Sequence, residues 1–277
     1  MTQPLTTVIL AAGKGTRMKS QKAKVLHEVF HAPMVHHVIR ALLPLNPQKN
    51  IVVVGHQEDK VRASLAGFPV DFATQTEQLG TGHAVLAAEA ACDDNDGVVM
   101  IVCGDTPLIL PETLDAMYEQ HLATGSCVTL MTTILEKPTN YGRIITGDDG
   151  TIQEIVEEKD ASEEQKKIRE VNAGIYCVDQ SYLFESLKRV GTNNSQGEVY
   201  LTDIVGIAVA AGKQVRTYVN PVPADVLGVN SRVELAQAHQ ELMMRRNREV
   251  MLQGVTMQHP ETITIGKDVT VGADSLI

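Results

Sequence analysis

The chain has 277 residues, 43% of them hydrophobic, enough to bury the core of one large α/β domain with an appendage. Its formal charge is 24 − 34 = −10, which argues against nucleic acid or an anionic membrane as the main partner but leaves room for a phosphate ligand held by a few local cations and N–H groups. No run of 18 apolar residues suggests a membrane span, the N-terminus lacks a basic leader, and the four cysteines are widely spaced with no C-x-x-C pair, so a reduced, cytoplasmic setting is expected.

Residues 5–10 read as a buried strand running into Ala11-Ala12-Gly13. Residues 33–45 carry helical spacing, with Pro33 suited to a helix start. Residues 50–55 form a second buried strand, 58–66 a helix, 70–73 a short strand and 81–92 an alanine-rich helix. Residues 97–103 form a third buried strand closed by Gly104-Asp105, and 111–123 a helix. This alternation predicts an α/β fold, a Rossmann-like and mostly parallel sheet with helices on both faces. Ligands of such sheets lie beyond the carboxyl ends of the strands, where Gly13 and Gly104 fall.

From 126 to 178 the runs at 127–135, 142–146, 151–156 and 171–178 are separated by turns such as Gly147-Asp148-Asp149-Gly150, which predicts a more antiparallel region. A helix at 201–211 and a strand at 214–219 follow, then a long, charged helix at 232–252 that reads as a connector. In the tail, IGKDVT at 265–270 and VGADSL at 271–276 repeat an aliphatic-Gly pair at six-residue spacing, the pattern of a hexapeptide β-helix. Two hexads are fewer than a stable solenoid needs, so a longer β-helical domain is expected to follow in a parent protein. The implied division is 1–231 catalytic, 232–253 connector helix and 254–277 the beginning of the β-helix.

The chemistry-bearing motif is LAAGKGTRM at 10–18, with Lys24 downstream. A polyphosphate needs convergent N–H donors and cations. The small residues Ala11, Ala12, Gly13 and Gly15 let backbone approach a ligand, and Arg17 and Lys24 supply charge. The segment is neither a P-loop nor a dinucleotide fingerprint, because Met18 stands where the third glycine belongs. The pairs His27/His31 and His36/His37 lack a third ligand at a telling spacing and read as core or surface histidines. Cys103, ending a buried strand, reads as a small apolar filler, and Asp93-Asp94-Asn95-Asp96 as a solvated turn.

Taken with QTEQLGTGHA at 75–84, CGDTPL at 103–108, NYGRI at 140–144, IVEEKDA at 155–161, QGEVYLTD at 196–203 and GVNSR at 228–232, the motif resembles the sugar-1-phosphate nucleotidyltransferases. It most resembles the bacterial N-acetylglucosamine-1-phosphate uridyltransferases, in which a β-helical acetyltransferase domain follows. The resemblance implies Mg²⁺-dependent transfer of UMP from UTP to N-acetylglucosamine 1-phosphate for cell-wall precursor synthesis, in a full-length homotrimer. No residue here speaks for an acetyltransferase site. The nucleotide would lie against Leu10, Ala11, Ala12, Gly13, Lys24, Gln75, Gly80, Thr81, Cys103, Gly104 and Asp105. The sugar would lie against Gly142, Glu157, Asn172, Thr202 and Asn230. Arg17 and Lys24 would be catalytic, and Asp105 and Asn230 would hold the metal. Against the pattern of these enzymes, Ala23 stands where proline is usual, Cys103 where tyrosine or serine is commoner and Ala173 where threonine is expected. Ala23 is therefore expected to loosen the loop that aims Lys24. Transfer of another nucleotide or to another sugar phosphate, and a catalytically silent scaffold, are the alternatives.

Overall fold

The structure, a computed structural model, describes residues 3–92 and 97–277. The acidic run at 93–96 lies outside them. The elements in chain order are β1 (Leu5–Leu10), β2 (Glu28–Val29), β3 (Ala32–Pro33), α1 (Met34–Leu42), β4 (Lys49–Val54), α2 (Glu58–Ser64), β5 (Asp71–Thr74), α3 (Thr81–Leu86), β6 (Val98–Cys103), α4 (Pro111–Thr124), β7 (Val128–Ile134), β8 (Arg143–Thr146), β9 (Ile152–Val156), β10 (Glu170–Asp179), α5 (Gln180–Leu187), α6 (Asp203–Ala210), β11 (Val215–Val219), α7 (Pro223–Val226) and α8 (Arg232–Leu252).

The main sheet runs β11-β7-β10-β6-β1-β4-β5, with β8 and β9 attached beside β10. β1 pairs in parallel with both β4 and β6, β4 with β5, and β7 with β11. β10 is antiparallel to β6, β7 and β8, and β8 to β9. The expected mostly parallel sheet with an antiparallel region is thus what the chain forms. The central strands are apolar on both faces because both are covered. One face packs on α1, α2 and α4 through Val38, Ile39, Val61, Leu114 and Met117. The other packs on α3, α5 and α6 through Val85, Leu183, Phe184, Ile204 and Val205.

Two local expectations are corrected, and one helix was not expected. The helix expected over 81–92 stops at Leu86 and resumes as a 3₁₀ turn at Glu89–Ala91. Alanine content favours helix only weakly, and packing decides: Ala88 is fully buried against the core, so the chain turns there. Pro33 ends β3 and stands at the N-cap of α1, outside its first turn. Helix α5 has no counterpart in the sequence reading: no glycine or proline separates it from β10, and its start is marked only by the polar residues Asp179, Gln180 and Ser181, with Asp179 at the N-cap.

α8 begins with a capping box: Ser231 Oγ accepts from Glu234 N (3.2 Å), and Glu234 Oε2 accepts from Ser231 N (2.8 Å). Beyond α8 the chain turns back so that residues 275–277 lie beside Thr256. Thr256 N donates to Ser275 O and Ile277 N to Thr256 O, each at 2.9 Å. Ile265 and Val271, six residues apart, turn inward onto Val250 and Val255. No helix among the described residues is long and apolar enough to cross a membrane.

Candidate active site

The carboxyl ends of β1 and β6, neighbours in the sheet, carry the two glycine-bearing segments to one edge. Beyond them opens a cleft of about 310 Å³ lined by Leu10, Ala11, Ala12, Gly13, Lys24, Gln75, Gly80, Thr81, Cys103 and Asp105, all assigned from sequence, and by Val25, Gln78, Ala84 and Glu198, which were not. Gly104, also assigned, is packed beneath: its N–H donates to Leu10 O (2.9 Å), and a Cβ there would meet that oxygen at 3.1 Å and Val25 at 3.2 Å.

Each wall is fixed by hydrogen bonds, long-range ones at Ala12 and a local one at Gln75. Ala12 O accepts from His56 N (3.1 Å) and Gln78 Nε2 (2.8 Å). Gln75 is buried, its Nε2 donating to Gly80 O (3.1 Å). Gly13 has no protein atom within 4 Å of where a Cβ would sit, so its bare backbone faces open space that a ligand can fill. Gly15 differs: at φ +62° a side chain there would strike the Lys24 stem, 2.6 Å from its Cβ.

Lys24 is the centre of charge. Its ammonium is ion-paired with the Asp105 carboxylate and donates to Asn230 Oδ1 at 2.9 Å. Asn230 is held in that orientation, its Nδ2 donating to Gly228 O (2.9 Å) and its N–H to Glu234 Oε2 (2.6 Å). Asp105 O accepts from Val229 N (2.8 Å), and bare Gly228 lies against the Asp105 carboxylate. A carboxylate and an amide oxygen that already converge on one cation form a donor set suited to a hard divalent ion such as Mg²⁺. Among the described residues no three His, Cys, Asp or Glu side chains cluster as a metal site. The histidines have other work: His36 contacts Ser64 Oγ (2.8 Å), His37 contacts Val29 O (2.8 Å) and His27 contacts Arg232 (3.3 Å).

Of the residues assigned to a sugar, Gly142, Glu157, Asn172 and Thr202 form a second cluster outside the cleft lining, whereas Asn230 lies with Lys24 instead. Thr202 Oγ1 donates to Glu157 Oε1 (3.3 Å), and the Gly142 Cα faces Glu157 Oε2. Gly142 O accepts from Asn172 N (2.9 Å), and Asn172 Oδ1 from Gly174 N (2.9 Å). Cys103 Sγ, donating to Gly174 O at 3.6 Å, joins this cluster to the cleft. Burial raises the Glu157 carboxyl above its ordinary value. The Thr202 hydroxyl opposes this and the charges of Asp160, Asp203 and Glu198 add to it. Burial also pushes the Cys103 thiol up to about 12, with Asp105 raising it further and Lys24 opposing; the residue is half-buried and lines the cleft rather than only filling the core. Tyr141, pushed to about 12 by burial and then by Glu234 and Asp105, lies between the two clusters. Arg17 is exposed on the 3₁₀ turn Thr16–Met18, outside the cleft lining, with its charge opposing the upward shift of Tyr141.

A family profile for the MobA-like NTP transferase domain matches residues 7–158. The chain is 55% identical to a protein named bifunctional protein GlmU from Desulfotalea psychrophila, over 99% of this chain and 81% of that one. It is 49% identical to the GlmU of Geobacter metallireducens, over 99% of this chain and 58% of that one. The chain belongs to the GlmU family. It is a nucleotidyltransferase. It spans about three fifths of the length of several of these relatives. By fold it is similar to a UDP-glucose pyrophosphorylase complexed with UDP-glucose (TM-score 0.69, 18% identity, 89% of this chain and 100% of that one). It is also similar to a putative glucose-1-phosphate thymidylyltransferase from Bacillus anthracis (TM-score 0.68, 19% identity, 95% of this chain and 98% of that one).

Proposed function

We propose that this chain transfers UMP from UTP to N-acetylglucosamine 1-phosphate, releasing pyrophosphate and forming UDP-N-acetylglucosamine for cell-wall precursor synthesis in the cytoplasm. The observation that carries the reading is the convergence of Lys24, Asp105 and Asn230 at a cleft whose other wall is Gln75, Gly80 and Thr81. Membership of the GlmU family supports it.

The base would lie against Ala12, Gly13, Gln75, Gly80 and Thr81, where an amide side chain offers both a donor and an acceptor. The sugar would meet Gly142, Glu157, Asn172 and Thr202. A phosphate oxygen of the sugar 1-phosphate, already ionised near neutral pH, attacks the α-phosphorus in line, and pyrophosphate departs. No general base is required, so catalysis rests on positioning and charge stabilisation. Lys24 stabilises charge at the α-phosphate, and Arg17 meets the departing pyrophosphate. Asp105 and Asn230 would hold Mg²⁺, which supplies positive charge at the reacting phosphates. Residues 232–253 act as connector and 254–277 as the first coil of a hexapeptide β-helix, a plan supported by the six-residue spacing of inward Ile265 and Val271. A trimer of the longer protein belongs to the same proposal.

The test is pyrophosphate release from UTP with N-acetylglucosamine 1-phosphate, with glucose 1-phosphate and with EDTA. Metal-dependent release favouring the N-acetylated sugar is expected. Folded protein that releases none with any sugar phosphate overturns the reading.

A further inference from the structure

The loop that delivers Lys24 is held from outside the cleft. Gln57 stands at the start of α2 with φ +55°, a left-handed conformation that glycine adopts at lower cost than any side-chain-bearing residue. A strained backbone of this kind persists where surrounding contacts over-determine it. Here the contacts are those of the Gln57 side chain. Its Oε1 accepts from Ala23 N at 3.0 Å, and its Nε2 donates to Gln21 O at 2.6 Å. One amide thus satisfies a donor and an acceptor two residues apart on the segment that ends in Lys24. The next residue in the chain after Ala23 is Lys24 itself, whose 3₁₀ turn closes through Leu26 N to Ala23 O (3.0 Å). The residue before Gln57, His56, donates its N–H to Ala12 O. The start of α2 therefore braces the glycine-rich loop and the lysine loop together.

We propose that Gln57 is a positioning residue, whose side-chain clamp on Gln21 and Ala23 sets where the Lys24 ammonium sits. The consequence for catalysis rests on the reaction proposed above; the clamp itself does not. Ala23 is fully buried at φ −53°, a backbone that proline also adopts. A proline there would stiffen the loop by its ring and need no partner for its nitrogen. The glutamine clamp and a proline are two physical routes to the same restraint.

The experiment compares wild type, Gln57→Gly and Gln57→Gly/Ala23→Pro. Gln57→Gly relieves the left-handed backbone but leaves the buried Ala23 N–H without its acceptor, so the two effects oppose and its thermal midpoint should stay close to that of wild type. Hydrogen exchange of nucleotide-free protein reads the clamp directly: the peptide carrying the Ala23 amide should exchange faster in Gln57→Gly. Steady-state pyrophosphate release reads the consequence. The kcat of Gln57→Gly should fall roughly 10- to 100-fold with KM for UTP within a few-fold, and the added Ala23→Pro should recover most of it. Unchanged exchange at residues 21–26 overturns the clamp. Faster exchange with wild-type kcat, or a lost kcat that proline does not recover, overturns its positioning role. Wild type that releases no pyrophosphate, with exchange altered as expected, tells against the proposed reaction and leaves the clamp standing.

Discussion

Val199 locks the loop that carries Gly80. Its N–H donates to Leu79 O (2.7 Å), its carbonyl accepts from Gly82 N (2.8 Å), and a Cβ on Gly80 would sit 2.6 Å from that carbonyl. Gly80 also holds φ +111°, which a side chain strains on its own account. Gly80→Ala should therefore both destabilise the fold, by about 1–3 kcal/mol, and push apart the wall of the cleft. Urea unfolding reads the first and UTP titration the second. Wild-type values in both would show that Val199 yields without consequence.

Arg143 and Glu158 form an asymmetric ion pair at 2.6 Å: the guanidinium side chain is 2% exposed and the carboxylate 26%. Arg143 also donates to Tyr141 O and Lys166 O, so it ties together three segments around the Gly142 turn. Removing the acid leaves a buried cation without its counter-charge, whereas removing the base leaves a carboxylate whose side chain is already a quarter exposed, although the oxygen facing Arg143 is buried. Glu158→Ala should cost about 3–5 kcal/mol, and Arg143→Met less. Equilibrium unfolding of the two variants checks the order. Equal losses would place the stabilisation in the backbone hydrogen bonds instead.

The contrast between these clamps and the cleft explains what the sequence could disclose. Leu10 to Gly13 and Cys103 to Asp105 were legible because apolar runs ending in glycine mark the carboxyl ends of buried strands. The parallel pairing of β1 with β6 then brings them together without further information. The long helix α8 was legible from its charge and length, and the Ser231–Glu234 box adds a start signal that was available and unused. Gln78 and Glu198 lie inside segments that were singled out, yet their place in the cleft depends on contacts with Ala12 and with the 79–82 loop, far off in the chain. The expected loosening at Ala23 is met by the Gln57 clamp, 34 residues away, which no local pattern announces. Helix α5 was missed because no glycine or proline separates it from β10 and only the polar residues Asp179, Gln180 and Ser181 mark its start.

Cys103 lines the cleft, yet burial holds its thiol near 12. Since the thiolate is the nucleophile, iodoacetamide at pH 8 should leave Cys103 unmodified in native protein and label it after unfolding. Mass spectrometry of the peptide decides. Rapid native labelling blocked by UTP would mean that the thiol is far more ionised in solution than its burial implies.

Glu157 links pH to stability with a definite sign. Its carboxyl is raised in the folded chain, so the folded state holds the proton more tightly than the unfolded state does. The stability this contributes is present below the ordinary value of 4.5 and is lost as pH rises through the folded value. At pH 7 the buried charge weighs against folding. Glu157→Gln should then be more stable than wild type at pH 7, with the difference shrinking or reversing at pH 4. It should also raise KM for the sugar phosphate while leaving that for UTP little changed. Urea midpoints at the two pH values test the sign, and a pH-independent difference would refute it.

Lys24 is the residue on which the proposed reaction turns, and its surroundings explain why substitution there is not conservative. The stem lies against Gly15, whose backbone at φ +62° leaves no room for a side chain, and the ammonium meets Asp105 and Asn230 together. Lys24→Ala removes a positive charge aimed at the phosphates without disturbing Gln75, Gly80 or Thr81. Its kcat should fall on the order of 10²–10³-fold, by analogy with loss of a single oxyanion donor, while UTP still binds. Gly15→Ala should weaken turnover in the same direction by displacing the stem. Single-turnover kinetics beside UTP titration separate the two effects. A Lys24→Ala protein within a few-fold of wild type would remove Lys24 from the chemistry and leave its contacts with Asp105 and Asn230 as purely structural.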